Sequence, residues 1–272
     1  MPFIISLAAL VTASLLERRP RRVLEFPPPR RRLSNIGIWL SSLVIVALIF
    51  PPPPPLFAWP ITDPMLSSVS AFLCLDLLSY ALHRAQHAVP VLWRLHAVHH
   101  SDPDLDFSTS VRRHPFEFVI ASGVFWLAVL FGIPVAVAVA HGTSLFVLAA
   151  FSHCNTRWPD WLEHLLRPVV VTADLHVIHH SIEPHDLNRN FGAVLSVWDR
   201  LFGTFAPAQT PSAAFGVADL DRVAACRPIA MLLTPWAFPA GTRGGEALPA
   251  EFWNDPKIQA AMYDPDEERR RL

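Results

Sequence analysis

The 272-residue sequence predicts an all-α integral membrane protein, a bundle of about four to five transmembrane helices with a histidine-rich cap on the cytoplasmic side. Three observations lead there. Hydrophobic residues make up 52% of the chain and charged residues only 17%, against about 25% in an ordinary soluble domain, and mean hydropathy is +0.33. Apolar runs recur at lengths near those a bilayer needs. The chain also carries 13 histidines, most of them in tight groups that the apolar runs bracket.

Residues Phe3 to Leu16 form the first apolar run. Basic residues follow it rather than precede it, and no small-residue cleavage site is evident, which argues against a cleaved signal peptide. The run is short for a span and suits a tilted anchor or an interfacial helix. Next come Arg18, Arg19, Arg21, Arg22, Arg30, Arg31 and Arg32. Such a stretch can contact anionic headgroups, but it reads better as a positive-inside marker of the cytoplasmic side. A second run, Ile36 to Phe50, stops at Pro51 to Pro55, which cannot continue a helix and is expected as polyproline II at the opposite surface.

Leu66 to Leu82 is the third run. At 1.5 Å rise per residue it covers roughly 26 Å, nearly a bilayer core. Phe116 to Ile133 and Val135 to Phe151, broken at Pro134, predict a helical hairpin in the membrane. With the arginine loop inside, the second span goes out and the third returns, so His83 emerges in the cytoplasm. The hairpin then brings His153 back to the same side. Arg84, Arg94, Arg112, Arg113, Arg157 and Arg167 in the intervening segments agree with that side. Three regions follow: residues 1–65 as an N-terminal anchor region, 66–206 as the region that carries the histidine groups, and 207–272 as a polar tail expected to pack loosely.

Charge and cysteine usage narrow the function. A net charge of −1 steers nothing toward nucleic acid. Cys74, Cys154 and Cys226 are isolated, which disfavours a disulfide framework, a thiolate zinc site and an iron–sulfur cluster.

The histidines carry the specific signal. His83-Arg-Ala-Gln-His87 places two imidazoles on one helical face. His96-Ala-Val-His99-His100 and His176-Val-Ile-His179-His180 are expected to set three rings along one stripe each. Unpartnered buried imidazoles would be costly and clustered imidazolium ions would repel, and a metal resolves both problems. Imidazole suits iron, zinc, copper and nickel. The number of boxed histidines exceeds what one tetrahedral zinc can use. A histidine-rich metal carrier or a zinc-dependent protein is the rival to a centre of two metals, but a carrier would spread its ligands along a path through the membrane.

The segments DLLSYALHRAQH (76–87), LWRLHAVHHSDPDLDFST (92–109), RRHPFE (112–117), FSHCN (151–155), HVIHHS (176–181) and NRNFGAVLSVWDRLFGT (188–204) together resemble the fatty acid hydroxylase superfamily, also called the sterol desaturase family. The resemblance implies a site of two iron ions at the cytoplasmic mouth of the bundle. It implies O2 as co-substrate and hydroxylation or desaturation of a membrane lipid. Since no flavin, cysteine-cluster or haem motif is present, a separate electron-transfer protein would be the donor. The implied metal ligands are His83, His87, His96, His99, His100, His176, His179 and His180, with His153 of the H-x-N element joining them.

Four other residues are candidate supports. Asp76, inside an apolar run and on one helical face with Tyr80, His83 and His87, is expected to accept a ring N–H of a ligand histidine or to make a buried helix–helix hydrogen bond. Asn155 is expected to orient His153, and Asn190 and Asp199 belong to the NRNFG and WDRLFGT segments. His114 is open between a site role and a structural one. His141, His164 and His185 are assigned structural or solvated roles.

Overall fold

The computed structural model describes residues 2–18, 24, 28–49, 53–207, 215–217, 226–238 and 241–244. Among these, the chain is helical and has no strand, only the isolated bridges Val170–Leu195 and Ser181–Phe215. The helices are α1 (Pro2–Leu16), α2 (Pro28–Ile49), α3 (Pro64–Ala88), α4 (Pro90–His100), α5 (Pro115–Leu130), α6 (Val135–His153), α7 (Asp160–Leu166), α8 (Ala173–His179), α9 (Val197–Leu201) and α10 (Pro228–Ala237). A 3₁₀ turn at Phe107–Val111 sits between α4 and α5.

Several of these helices start where their sequence requires. Pro64 and Pro115 occupy first-turn positions, where the missing N–H costs nothing. Asp63 accepts from the Leu66 N–H at 2.8 Å and His114 from the Phe116 N–H at 3.2 Å. Pro90 likewise opens α4 immediately after α3 closes at Val89.

By length and composition, α2 over Pro29–Ile49, α3 and α6 are able to cross a membrane, while α1 and α5, with 15 and 16 residues, are shorter apolar helices. The bundle has two distinct ends. At one end, the Leu56 and Phe57 N–H groups donate to Leu130 O, and the chain passes so close to the α5–α6 bend that a side chain at Gly132 (φ 103°) would strike the Ala58 and Trp59 backbone at 2.7 Å. At the other end lie the starts of α2 and α5 and the ends of α3 and α6, with every histidine box. The Pro53–Pro55 part of the proline run falls at the first end; Pro51 and Pro52 lie outside the described residues.

The basic stretch does something the sequence did not foretell. Arg31 is 1% exposed and pairs with Asp102 at 2.7 Å and with Asp106, while Arg32 bridges Asp106 and Glu17. These two arginines clamp the 101–111 segment onto α2 instead of facing headgroups. Arg19, Arg21 and Arg22 lie outside the described residues.

The described part of the tail is also better packed than expected. Phe238 joins Trp93 and Ala97, and Met231 packs with Ile38 and Val98. The Gly244 N–H donates to His87 O at 2.9 Å. The physical cause is an apolar face on α10 that the polar composition of the whole tail conceals.

Candidate metal centre

Nine histidines converge at the boxed end of the bundle in two adjoining groups. His83, His87, His96, His100 and His179 form the first group, and His99, His153, His176 and His180 form the second. Within each group the potential ligand atoms all lie within 4.8 Å of one another. The groups touch: the His100 and His180 rings stack at 4.5 Å and His96 meets His99 at 5.3 Å.

This arrangement corrects the expectation of one stripe per box. Each H-x-x-H-H box is shared between the groups. His96 and His100 enter the first while His99 enters the second; His176 and His180 enter the second while His179 enters the first. Helical geometry explains the division. At about 100° per residue, i+4 is displaced from i by about 40°, whereas i+3 falls on the other flank, about 100° from i+4. Two boxes that face each other can therefore each serve two centres.

Backbone and carboxylate acceptors set the ring tautomers. His83 Nδ1 donates to Phe191 O at 2.9 Å, His179 Nδ1 to Arg189 O at 2.9 Å, and His96 Nδ1 to Glu117 Oε1 at 2.9 Å. In the second group His99 Nδ1 donates to Arg112 O at 3.2 Å and His153 Nδ1 to Ala149 O at 2.7 Å. A neutral ring that donates from Nδ1 carries a lone pair on Nε2.

Among the described residues, no donor satisfies those lone pairs. His83, His96 and His179 Nε2 are buried without a hydrogen-bond partner. In the second group His153 Nε2 lies 3.2 Å from His99 Nε2, 3.1 Å from His180 Nε2 and 2.9 Å from His176 Nε2. His99 and His153 thus direct lone pairs at each other at hydrogen-bond distance, a repulsive arrangement that a cation between them reverses. The donor set therefore fits metal ions in both groups. Burial first, and then neighbouring imidazoles, holds His96, His99, His100, His176 and His180 well below the ordinary histidine range, and burial brings His179 down to about 4. Unprotonated rings are the form that binds metal.

The residues proposed as supports act one layer further out. Asp76 touches no ring of either group. It accepts from Val194 N, Leu195 N, Trp198 Nε1 and His141 Nε2 at 2.8–3.2 Å, so its carboxylate anchors the 194–198 segment to α3. Asp199 accepts from the Phe191 and Gly192 N–H groups at 2.7 and 2.8 Å and from the Thr204 hydroxyl at 2.7 Å, and so reaches His83 only through the Phe191 carbonyl. Asn190 donates to Leu175 O and Ala206 O, both at 3.0 Å. Asn188 and Asn190 hold φ near +57° and +54°, a region asparagine tolerates. Each immediately precedes one of the residues, Arg189 and Phe191, whose carbonyls receive His179 and His83. The Asn155 N–H donates to Glu17 Oε1 at 2.8 Å, and His153 Nδ1 is held by Ala149 O of its own helix.

Glu117 is the support that residue-by-residue reading missed. It is 1% exposed, and its Oε1 also receives Gln86 at 3.3 Å and Arg113 at 3.4 Å. The RRHPFE segment contained it, but only the fold brings it to His96. His114 caps α5 and reaches Leu232 O at 3.3 Å, outside both groups. His164 bonds its own helix at Asp160 O, and the His185 side chain is 73% exposed. His141 is buried against Asp76 and the edge of Phe72.

A chamber of about 140 Å³ opens beside the two groups, between α3, α5 and α6. His83 of the first group and His99, His153 and His176 of the second line it together with the apolar Leu75, Leu78, Val124 and Leu145, and Gln86, Arg113 and His141 add further polar lining.

Fold and site together define a helical bundle, with helices able to cross a membrane, that gathers two multi-histidine centres at one end beside an apolar chamber. The chain belongs to the fatty acid hydroxylase family, whose model matches residues 68–204, half of its length. It is 31% identical over 139 residues to alkylglycerol monooxygenase of Danio rerio, covering 50% of this chain and 30% of that protein. It is 34% identical over 157 residues to the ornithine lipid hydroxylase OlsE of Rhizobium tropici, covering 57% and 46%, and 28% identical over 158 residues to the fatty acid hydroxylase vlmA of Lecanicillium sp, covering 49% and 40%. The chain thus spans less than half the length of these relatives. No solved structure is significantly similar to it.

Proposed function

We propose that this chain is an O2-dependent, di-iron membrane oxidoreductase that hydroxylates a C–H bond of a lipid. The observation that carries the reading is the pair of adjoining multi-histidine groups beside a largely apolar chamber, with the His83 Nε2 of the first group and the crowded Nε2 atoms of the second at its wall. Family membership and relatives named for alkylglycerol, ornithine lipid and fatty acid hydroxylation support it. Residues 66–206 would form the catalytic region.

His83, His87, His96, His100 and His179 would hold one iron, and His99, His153, His176 and His180 the other. The bound pair supplies activation of O2 for insertion of one oxygen atom into an unactivated C–H bond. The other oxygen atom leaves as water, using two protons and two electrons from outside the chain. A separate electron-transfer protein delivers those electrons, since the chain's cysteines are isolated. The chain's own residues place the substrate. Leu75, Leu78, Val124 and Leu145 exclude water and hold hydrocarbon against His83, His99 and His153, so that the reacting carbon faces both centres. The histidine end of the bundle faces the cytoplasm, together with the arginine-bearing start of α2.

The rival reading, a metal carrier or zinc protein, accounts less well for two adjoining sites at one end beside a greasy chamber. Purification under reducing conditions with elemental analysis, followed by lipid mass spectrometry of expressing membranes exposed to ¹⁸O2, separates them. The expected result is about two irons per chain and a lipid hydroxyl carrying ¹⁸O. Zinc in place of iron, or two irons with no labelled lipid, would overturn the proposal.

A further inference from the structure

A second cavity lies outside the histidine end. It runs along α1 from Pro2 to Leu15, between α1, α2, α5 and α6, with a volume of about 760 Å³, within the 300–1,000 Å³ range usual for ligand sites. Among the described residues, no charged one lines it. Thr143, one of its few polar residues, donates its hydroxyl to Val139 O of its own helix at 2.8 Å. From Pro2 to Leu15 the groove is roughly 20 Å long at 1.5 Å per residue, more than the depth of one leaflet of a hydrocarbon core about 30 Å thick. Its rim residues Leu7, Val11 and Leu40 are about half exposed, and α2 and α6 are helices able to span a membrane, so the groove opens where lipid chains lie.

The groove and the histidine chamber share two lining residues, Phe125 and Gly142. The partition between them is thin there. Gly142 contributes no side chain from α6, and the nearest atoms to the place a Cβ would occupy are Phe125 ring carbons at 3.8 and 3.9 Å. One aromatic ring, itself only partly buried, is the wall.

We propose that this groove is a binding site for the alkyl chain of a membrane lipid and that the chain reaches the histidine chamber through the gap between Phe125 and Gly142. Three features select a hydrocarbon occupant: the lack of charge, the length along α1, and continuity with the apolar chamber. Rotation of the Phe125 ring opens the passage; the small residue at 142 leaves room for a methylene chain to pass. The proposal rests on the hydroxylase reading for what happens after passage, but occupancy of the groove does not depend on turnover.

The test uses the full chain in phosphatidylcholine nanodiscs with a 16-carbon fatty acid bearing a mid-chain diazirine. After illumination, cross-links are located by peptide mass spectrometry, and bound iron is measured in parallel. In the unmodified protein the groove residues Trp39 and Phe146 and the chamber residues Leu78 and Leu145 should be labelled. Gly142→Trp should keep the groove labels and the iron while chamber labels fall at least tenfold. Phe125→Ala, which opens the wall without adding bulk, should raise chamber labelling and serves if Gly142→Trp does not accumulate. An unlabelled groove or chamber in the unmodified protein, or chamber labels unchanged in Gly142→Trp and in Phe125→Ala, would overturn the proposal. Labelling as expected with no ¹⁸O-labelled lipid would leave the groove standing and remove the hydroxylase reading.

Discussion

Glu117 Oε1 accepts the Nδ1–H of His96 at 2.9 Å, with both side chains 1% exposed, so a carboxylate on α5 fixes the ring orientation of a first-group histidine on α4. Carboxylates in this position fix the tautomer of a ligating histidine, and their loss typically costs 10–100-fold in metal affinity. Glu117→Ala should therefore weaken one of the two bound ions by about that factor and leave the other unchanged. Glu117→Gln, which keeps an acceptor oxygen, should recover most of it. Metal titration of the two variants checks this; two ions held at unmodified affinity in Glu117→Ala would contradict it.

The sharing of each box between the groups makes a distinctive prediction. His96→Ala and His99→Ala are three residues apart in sequence but should deplete different ions, each variant retaining about one iron per chain and the double variant losing both. His153→Ala should resemble His99→Ala. His185→Ala, at an exposed side chain, should retain both ions. Elemental analysis with spectroscopy of the remaining iron tells the single variants apart. Indistinguishable residual sites in His96→Ala and His99→Ala would return each box to a single centre.

Asp76 should behave as an anchor rather than a ligand support. Asp76→Ala leaves four donors without their acceptor, at about 1–3 kcal/mol per unsatisfied buried group, so a loss of roughly 4 kcal/mol or more is expected. A lowered unfolding temperature in detergent, with iron per folded chain unchanged, would agree. Intact thermal stability combined with lost iron would place Asp76 in direct service of a ligand.

Acid should destabilise the metal-free protein in a defined window. His179 has its folded value held at about 4, below the ordinary 6.5. Between those values the unfolded chain binds more protons than the folded one, so stability falls as pH drops from about 6.5 toward 4. Unfolding temperature of the apoprotein against pH measures this; a flat profile across that interval would contradict it.

Topology follows from the two ends of the bundle. Reporter fusions after Arg32, His100 and Pro207 should report the cytoplasm, and a fusion within Pro51 to Pro55 the opposite side. Agreement between the two sets of reporters would require a different arrangement of spans.

How much of this was legible beforehand differs by feature. The helices of the hairpin and of the third run follow from apolar length and from Pro64, Pro115 and Pro134, because bilayer thickness and the missing proline N–H act on contiguous residues. Eight of the nine histidines stand out in sequence because metal-ligand spacing is local: i, i+3 and i+4 are properties of one helix, whereas His153 stands alone and came only from the resemblance. Which nitrogen faces which group is not local. It depends on the crossing of α3, α4, α6 and α8, and on carbonyls of Arg189 and Phe191 delivered by a loop more than a hundred residues from His83. The same holds for Glu117, for the burial of Arg31 against Asp102, and for Asp76 serving Trp198. A charged side chain in an apolar protein must find its partner wherever the fold supplies one, and sequence distance carries no record of that choice. The amino-acid sequence alone determined the apolar, helical class, the histidine inventory and the family. Only the tertiary structure decided the division of the boxes into two groups and the placing of the Phe125 ring between the chamber and the groove along α1.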